Sequence, residues 1–499
     1  MKRICTLLIL ALVMVSTNLV AQRYLTQTFD DVTVTSGVTY GVNATVLLVP
    51  VLGQAIPEEL KMDIYQPAGD AETSRPVVLY FHTGNFLPHP QNGSPGGLRT
   101  DSAAVEICTR LAKMGYVVAS CSYRLGWNPQ SQDQDVRVNT LINAAYRGVQ
   151  DCRTAIRFFR KSHAESGNPY GIDPNRVVVW GQGTGGYIAF ASATIDEYLD
   201  IVLPKFTTEI NGNPVPMVIE SINGDIFGTS YGVFGGDTLC YPNHTGYSSD
   251  FNVMVNMGGA CGDISWVDES DVPMISFQVP TDPFAPYTTG TLIVPVLNYN
   301  VVEVSGSYDV QEAVAGFGTN DVFELAEGYA PGLPYTTSAN ELNNGFKGLY
   351  PLVGSNPFDS APWEWWASTN VNNANGLATN PDMSEMKAMS YIDSIMGYAA
   401  PRIACALDLP ESPCFVGIYE KEEMDVKVFP NPAYDRFTIR SGDNIRMYTI
   451  YDITGKVVRS RQNINANNEV VRIEDLTRGI YMVEITTDSG VMTRKITKE

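Results

Sequence analysis

Histidine is scarce in this sequence, with only four among 499 residues, and His244 is the last of them. Histidine is the side chain that most readily gains and loses a proton near neutral pH. The part of the chain after residue 244 therefore has no histidine for acid–base chemistry. The cysteines do not show the paired spacing of zinc ligands, so the sequence predicts no metal site.

Positive charge is also in short supply. The chain has 33 Lys and Arg against 54 Asp and Glu, which gives a net charge of −21. Residues 425–499 alone carry +2, so the rest of the chain carries −23. An acidic body of this kind repels nucleic acid and anionic membranes, and no basic patch, repeat or long amphipathic helix offsets it. We therefore expect no nucleic-acid partner.

Long apolar runs are missing after the first residues. Met1–Ala21 combine two basic residues, an apolar run over Leu7–Val15 and a small-residue exit, which predicts a cleaved secretory signal peptide. The run is too short to persist as a membrane span, so we expect no transmembrane segment in the mature chain. The seven cysteines that remain can form up to three disulfides, and Cys405 with Cys414 is the simplest local pair.

Glycine is abundant at one turn, around which the rest of the chain is organised. Three valines within Arg176–Trp180 predict a buried strand, Gly181–Gly186 contain four glycines, and Tyr187–Ala191 predict a helix of small apolar residues. A strand, a sharp turn and a helix are the setting in which the motif Gly-x-Ser-x-Gly presents a catalytic serine. The glycines of that motif are present, but Gly183 occupies the serine position.

The same glycines allow two other interpretations. They match the pattern Gly-x-Gly-x-x-Gly, which binds dinucleotides when an acidic residue closes the next strand about 20 residues on. Asp196 and Asp200 lie at about that distance, but they precede the apolar run Ile201–Leu203 instead of following it. A turn that packs a helix closely against a strand is the third interpretation, and such packing holds under each of the others as well. We predict no cofactor.

Strands alternate with helices on both sides of this turn. Apolar–polar alternation predicts antiparallel edge strands over Val32–Thr35 and Leu60–Tyr65. Continuous apolar runs predict buried strands, and wider apolar spacing predicts helices, over the following ranges: strands Arg75–Phe81 and Tyr116–Ser120; helices Ala103–Met114, Ala144–Lys161 and Met383–Met396. The alternation predicts an α/β fold with a mostly parallel sheet.

Several segments in a fixed order resemble the esterase/lipase branch of the α/β-hydrolases. They are Leu60–Pro67, Phe81–Gly84, Ser122–Gly126, the glycine turn and Val272–Phe277. The resemblance extends from about Asp63 to Leu409 and implies the α/β-hydrolase fold, with carboxylic esters as substrates. Gln278–Tyr287 is similar to the family pattern His-Gly-x-x-Asp-x-x-Val-Pro-Tyr, and on this match Asp282 occupies the acid position.

The same resemblance implies an oxyanion loop. It would comprise His82, Thr83 and Gly84, with Thr83 where the family has a glycine, and Thr184 would add a backbone N–H from the turn. We expect His82 to hold this loop by hydrogen bonding. The Thr184 hydroxyl is a weaker candidate nucleophile, because its side chain should point away from the site.

The catalytic base is the second departure from the family. In this fold the histidine follows the acid, here Asp282. We place its loop after a strand predicted near Asp321–Leu325, where Glu327–Pro334 contain no histidine. His163 is expected at a solvated helix end, and His244 lies in an insertion that is a candidate cover for the site. No catalytic residue is therefore predicted.

An aromatic segment, Ala361–Trp366, contains three of the six tryptophans. It is either a ligand platform, as in proteins that bind carbohydrates or other polymers, or part of the core. We call it the tryptophan segment below.

The character of the chain changes after Glu420–Glu423 to a small all-β unit. Phe429–Pro432, the turn Asp452–Lys456 and the basic end Arg494–Lys498 closely resemble the C-terminal sorting domain of type IX secretion substrates in Bacteroidota. The resemblance implies export by the type IX machinery, followed by release or attachment to the cell surface. An accessory β-sandwich that binds a ligand is the alternative.

The sequence thus predicts four parts: a signal peptide at 1–21, an α/β-hydrolase-like domain at 22–415, a linker at 416–424 and a β-sandwich sorting domain at 425–499. We expect an extracellular or cell-surface protein, inactive as an esterase, that binds an unidentified small molecule or polymer. The alternative is a carboxylic ester hydrolase with non-standard active-site residues.

Overall fold

The structure of the protein is a computed structural model. It describes residues 22–89, 91–294, 297, 299–327, 342–354, 356–410, 412–414, 426–488 and 490–499. The chain divides into two compact units, Met1–Phe415 and Val416–Glu499. We refer to them as the hydrolase unit and the sorting unit. The predicted signal peptide and the predicted linker lie outside the described residues and stay predictions.

The hydrolase unit is built on β-strands whose bounds, in chain order, are as follows: β1 Val32–Thr45, β2 Ile56–Pro67, β3 Arg75–Phe81, β4 Val117–Cys121, β5 Ile172–Gln182, β6 Thr207–Ile210, β7 Asn213–Pro216, β8 Gly232–Phe234, β9 Asp237–Cys240, β10 Val253–Met257, β11 Met274–Gln278, β12 Gly290–Val294, β13 Tyr299–Val304 and β14 Leu349–Pro351.

Eight of these strands form one sheet in the order β1-β2-β4-β3-β5-β10-β11-β14. The pairs β1–β2 and β2–β4 are antiparallel, and all the following pairs are parallel. The remaining strands form three two-stranded hairpins, β6–β7, β8–β9 and β12–β13. This sheet confirms the α/β-hydrolase fold with a mostly parallel sheet.

The described helices of this unit cover both faces of the sheet. They are α1 Val49–Leu52, α2 Ser102–Lys113, α3 Gln134–Glu165, α4 Thr184–Thr194, α5 Glu220–Asn223, α6 Ser307–Phe317, α7 Asn373–Thr379 and α8 Glu385–Ala406. Every residue of β3 is buried. Because side chains alternate along a strand, Val77 and Leu79 lie in one apolar core and Val78 and Tyr80 in the other.

The last long helix continues beyond its predicted end at Met396. It passes through Gly397 and Pro401 and ends at Ala406. The prediction was wrong because glycine and proline were taken as a stop, whereas the buried side chains Tyr398 and Ile403 extend the apolar face. Tertiary packing of that face offsets the backbone hydrogen bond that a proline removes.

The prediction of a strand near Asp321–Leu325 was also wrong. Thr319–Ala326 form a 3₁₀ helix, and the last strand of the large sheet is β14. Asn320, Phe323 and Ala326 are buried, which is the three-residue spacing of a 3₁₀ helix and not the alternation of a strand. The loop that follows the last strand therefore begins after Pro351. Most of the loop that we had assigned to the histidine, residues 328–334, lies outside the described residues.

The predicted disulfide between Cys405 and Cys414 is present. The other five cysteines of the described residues are buried thiols. Among the helices that the structure describes, none has the length and apolar composition needed to cross a membrane.

The sorting unit is all β. Its strands are β15 Val426–Phe429, β16 Arg436–Asp452, β17 Val457–Arg472, β18 Gly479–Thr487 and β19 Gly490–Lys498. They pair antiparallel in the order β15-β16-β18-β19, and β17 pairs with β16. At the predicted turn the Asp452 carboxylate accepts hydrogen bonds from the Thr454 and Lys456 N–H groups. The unit has its own apolar core, as the predicted β-sandwich requires.

Candidate active site

The glycine turn has the geometry that a nucleophile elbow requires. β5 ends at Gln182 and α4 begins at Thr184, so Gly183 alone connects strand to helix. Its φ of +55° and ψ of −118° lie where residues with a side chain are strained. The Gly183 N–H donates to the Met257 carbonyl at 2.7 Å. A Cβ atom at Gly185 would overlap the Phe81 carbonyl oxygen, so that position of the motif also requires glycine.

Thr83 occupies the space in which a side chain at residue 183 would lie. A Cβ atom at Gly183 would overlap Thr83 Oγ1 and lie 2.8 Å from Thr83 Cβ. The two departures from the family pattern are therefore complementary: residue 183 lacks a side chain, and residue 83, a glycine in the family, has one. A hydroxyl group remains at this place, but it belongs to the neighbouring loop.

The loop after β3 is fixed by His82 and Tyr123. The His82 ring is buried, hydrogen-bonds to the Thr83 carbonyl and stacks on Tyr123 at 4.9 Å between ring centroids. Burial lowers the pKa of His82, which favours the neutral ring. Its contacts are those of a residue that holds the loop in place.

Tyr123 links this loop to the elbow. Its hydroxyl donates to the His82 carbonyl at 2.8 Å and lies 2.8 Å from Thr184 Oγ1. Since the Tyr123 proton is used at His82, Thr184 is the donor in the second bond. The Thr184 hydroxyl is thus engaged by Tyr123. Gly84, the third residue of the loop, has a φ of +139° and packs against Gly97.

Asp282 lies in the loop after β11, the place of the acid in this fold. One carboxylate oxygen accepts from the Phe284 N–H at 2.8 Å, and the other from the Gln278 amide at 3.4 Å. Burial raises the pKa of Asp282 to about 7. No hydrogen bond joins this carboxyl to a histidine among the described residues, and no histidine follows Asp282 in the sequence.

Glu364 is the side chain that the loop after β14 brings to the elbow. Its Oε1 accepts a hydrogen bond from the Gln182 side chain, which in turn accepts from the Tyr80 hydroxyl. Burial raises the pKa of Glu364 well above its ordinary value, and the charges of Asp101 and Asp282 raise it further. In this fold the loop after the last strand carries the histidine, so Glu364 stands where that residue is expected.

Glu364 was not predicted as a site residue, because the last strand was expected too early in the chain. The available signal was the single acidic residue within the tryptophan segment, directly before Trp365 and Trp366. A carboxyl group between three indole rings rarely lies in a core without a polar partner.

The tryptophan segment extends between two carboxyl groups. The Trp363 ring and Asp282 Oδ2 lie 3.4 Å and 3.6 Å from the position that a Cβ atom would take at Gly258. Trp366 and Asp101 each lie 2.9 Å from the corresponding position at Gly96. Trp363 is 1% exposed, whereas Trp365 and Trp366 are half-buried. The segment is therefore partly core and partly a wall of the site.

Of the remaining histidines, His89 interacts electrostatically with Asp101, whereas His244 and His163 are engaged elsewhere. His244 bonds to the Tyr40 carbonyl at 2.7 Å, so it supports β1 instead of reaching into the site as the insertion had suggested. His163 lies in the last turn of α3, as predicted. Among the residues that the structure describes, no three His, Cys, Asp or Glu side chains are grouped so that they could hold a metal ion.

A cavity of about 420 Å³ adjoins the acid loop. Val279, Pro280 and Thr281, which directly precede Asp282, line one side. Val353 and Pro357 from the loop after β14 line another side. This volume lies within the range of small-molecule sites.

Comparison with known proteins agrees with this architecture. Residues 62–297 match the family model BD-FAE, and residues 427–499 match the secretion system C-terminal sorting domain. No curated protein matches the chain.

Among solved structures, esterase 2 of Thermogutta terrifontis phosphorylated by paraoxon is 19% identical, with 52% of this chain and 74% of that chain covered and a TM-score of 0.29. The propionate-bound form of that enzyme is 18% identical, with 50% and 74% covered and a TM-score of 0.29. Brefeldin A esterase, a bacterial homologue of human hormone-sensitive lipase, is 23% identical, with 34% and 36% covered and a TM-score of 0.22.

The match over residues 62–297 supports the α/β-hydrolase interpretation of the glycine turn, and the match over residues 427–499 confirms the sorting-domain interpretation of the C-terminal unit. Residues 62–297 thus lie in an esterase-like α/β-hydrolase domain that is similar to the BD-FAE family, and residues 427–499 form a type IX secretion sorting domain.

Proposed function

We propose that the hydrolase unit is a non-catalytic member of the esterase-like α/β-hydrolases and acts by binding a ligand. The observation that carries this proposal is the overlap between Thr83 and the side-chain position of Gly183. A serine nucleophile at residue 183 has no room in this arrangement. Glu364 and Asp282 then leave two carboxyl groups where the family has a base and an acid.

The remaining parts of the site favour a binding role. The oxyanion loop is held by His82 and Tyr123, the elbow keeps its backbone geometry, and a cavity is lined in part by Val279–Thr281, which precede Asp282. A binding protein derived from an enzyme fold is expected to lose the catalytic side chains and to keep the shape of the site. The sorting domain delivers this unit to the cell surface or the exterior, after export that we expect to begin with the predicted signal peptide.

A specific observation favours a second candidate, ester hydrolysis with non-standard residues. The Thr83 hydroxyl lies where the nucleophile is expected, and Glu364 is a carboxyl group in the place of the base. Threonine and carboxylate side chains are used as nucleophile and base in other enzymes.

Turnover of a short-chain p-nitrophenyl ester by the purified full chain separates the two candidates. The test compares the wild type with Thr83→Val, which keeps the shape of the side chain and removes its hydroxyl. We expect both proteins to show only background hydrolysis. Wild-type turnover that Thr83→Val abolishes would instead establish Thr83 as a nucleophile and overturn the binding proposal.

A further inference from the structure

The connection between β1 and β2 carries an exposed apolar segment. Val46–Leu52 are consecutive apolar residues, and no charged residue occurs from Val32 to Pro57. The short helix α1, which lies within this segment, has no buried residue. The large side chains that are exposed here are Leu48, Val49, Val51 (79%) and Leu52 (53%). Soluble proteins seldom leave such neighbouring apolar side chains in water unless the surface binds something. We refer to Val46–Gly53 as the apolar tip.

The apolar tip projects from the body of the hydrolase unit. Thr45 pairs with Ile56, so the tip lies beyond the last paired residues of the β1–β2 hairpin. A Cβ atom at Gly53 would have no atom within 4 Å, and at the base of the tip Val46 lies against Gly126 in the loop after β4. A projecting tip of this kind can enter a fluid phase, whereas a protein partner would have to supply a matching groove.

The backbone of the apolar tip forms its own hydrogen bonds. Four N–H groups donate to carbonyl groups within the tip at 2.8–3.1 Å, in the pairs Val49 to Val46, Val51 to Leu48, Leu52 to Leu48 and Gly53 to Val49. Pro50 has no N–H to satisfy. A segment that enters the hydrocarbon of a bilayer must pair its backbone donors internally, because no water is available there. The tip meets this requirement for these residues.

Charge determines the kind of lipid surface. Glu58 and Glu59 follow the apolar tip and are exposed, and the chain before residue 425 has a net charge of −23. An anionic bilayer repels such a protein, whereas a zwitterionic bilayer does not. The sorting domain directs the chain to the cell surface or the exterior, so the unit can meet a bilayer from outside.

We propose that the apolar tip inserts into a zwitterionic lipid surface and anchors the hydrolase unit there. Leu48, Val51 and Leu52 enter the boundary between headgroups and acyl chains, as the apolar side of an interfacial helix does. Glu58 and Glu59 stay in water and limit the depth of insertion.

The position of the apolar tip also orients the unit. β2 runs antiparallel to β4, and Met62 pairs with Cys121, the last residue of β4. The hairpin therefore extends beyond the carboxyl ends of the parallel strands, which is the edge of the sheet that carries the elbow. An anchored unit presents this edge to the lipid. The inference goes beyond the proposed binding function and holds whether or not the unit cleaves esters.

Co-sedimentation of the purified full chain with phosphatidylcholine vesicles tests the proposal. Val51→Glu places a charge on the tip, and Val371→Glu is the matched control, because Val371 is also 79% exposed and lies in the same unit. We expect the wild type and Val371→Glu to bind alike, and Val51→Glu to bind about fivefold more weakly or less. Absence of wild-type binding, or equal binding of all three proteins, overturns the inference.

Two further measurements separate lipid from other partners of the tip. Replacing part of the phosphatidylcholine by phosphatidylglycerol should weaken binding at low salt, and stronger binding would refute the preference for a zwitterionic surface. Sedimentation velocity without lipid should give the same coefficient for the wild type and Val51→Glu. Self-association that Val51→Glu abolishes, with no vesicle binding, would assign the tip to a second copy of this chain and overturn the inference.

Discussion

Residue 183 shows how a single position can determine both stability and chemistry. Its backbone conformation disfavours any side chain, and Thr83 fills the adjoining space. Restoring the serine of the family motif therefore meets two separate costs, one from backbone conformation and one from overlap with Thr83. The two costs can be measured separately because the chain has other glycines with positive φ.

We expect Gly183→Ser to lower the free energy of unfolding by about 1–3 kcal/mol. Gly167→Ser is the control for conformation alone, since Gly167 has a φ of +70° and open space around its Cβ position. Adding Thr83→Gly to Gly183→Ser should recover part of the loss. All six tryptophans lie in the hydrolase unit, so urea unfolding followed by tryptophan fluorescence reports on this unit. If the effects of Gly183→Ser and Thr83→Gly on the free energy of unfolding were strictly additive, the two side chains would not overlap.

Asp282 should make stability depend on pH. Its pKa is raised to about 7 in the folded protein, well above the value of about 4 for an unfolded aspartate. The folded state thus holds the proton more strongly, so this stabilisation is complete below about pH 4 and is lost as the pH rises through 7. Asp282→Asn should remove that component. The measurement is the difference in the free energy of unfolding between the wild type and the variant, from pH 4 to 8. Taking the difference cancels the contribution of Asp271, whose pKa is also about 7 and which titrates in both proteins. A constant difference across that range would contradict the assigned shift.

At the scale of elements, the site depends on loops that follow neighbouring strands. Tyr123, after β4, joins the loop after β3 to the start of α4 through two hydrogen bonds. The loops after β11 and β14 bring Asp282 and Glu364 to the same edge. This arrangement follows from a parallel sheet, in which the carboxyl ends of the strands lie on one side.

Tyr123→Phe should therefore weaken the link between the oxyanion loop and the elbow. Removing the hydroxyl leaves the His82 carbonyl and the Thr184 hydroxyl without their partner, and we expect a loss of about 1–3 kcal/mol. Tyr247→Phe is the control, because its hydroxyl makes an exposed hydrogen bond to Glu165 and should matter little. Equal effects of the two substitutions, measured by urea unfolding, would show that Tyr123 does not serve as a link.

Much of the sheet was predictable from sequence, because β3, β4 and β5 are apolar runs and β1 and β2 alternate. The glycine turn was equally clear, since its spacing combines a motif with a strand and a helix. The last strand was not predictable: β14 has only three residues and no period can be recognised in so short a run. Because of this error, the loop that should carry the catalytic base was predicted too early in the chain, and Glu364 was not recognised as a site residue. The position of Thr83 over Gly183 is a tertiary contact between segments about 100 residues apart, so local sequence patterns carry no signal for it.

The whole molecule joins an acidic hydrolase unit to a separate sorting unit with its own core. Deleting residues 425–499 should leave the hydrolase unit folded but retained in the periplasm, because the sorting domain carries the export signal. Cell fractionation followed by immunoblotting tests this expectation, and tryptophan fluorescence of the purified variant checks that it is folded. Surface or medium levels equal to those of the wild type would show that the unit is delivered by another route.

We propose that this esterase-like unit does not cleave esters, because Thr83 fills the place of the nucleophile's side chain and a carboxyl group occupies the place of the base. The most direct test is steady-state turnover of p-nitrophenyl acetate and butyrate by the purified full chain beside Thr83→Val. We expect both proteins to hydrolyse the esters no faster than buffer does. Turnover by the wild type that is lost in Thr83→Val would contradict it.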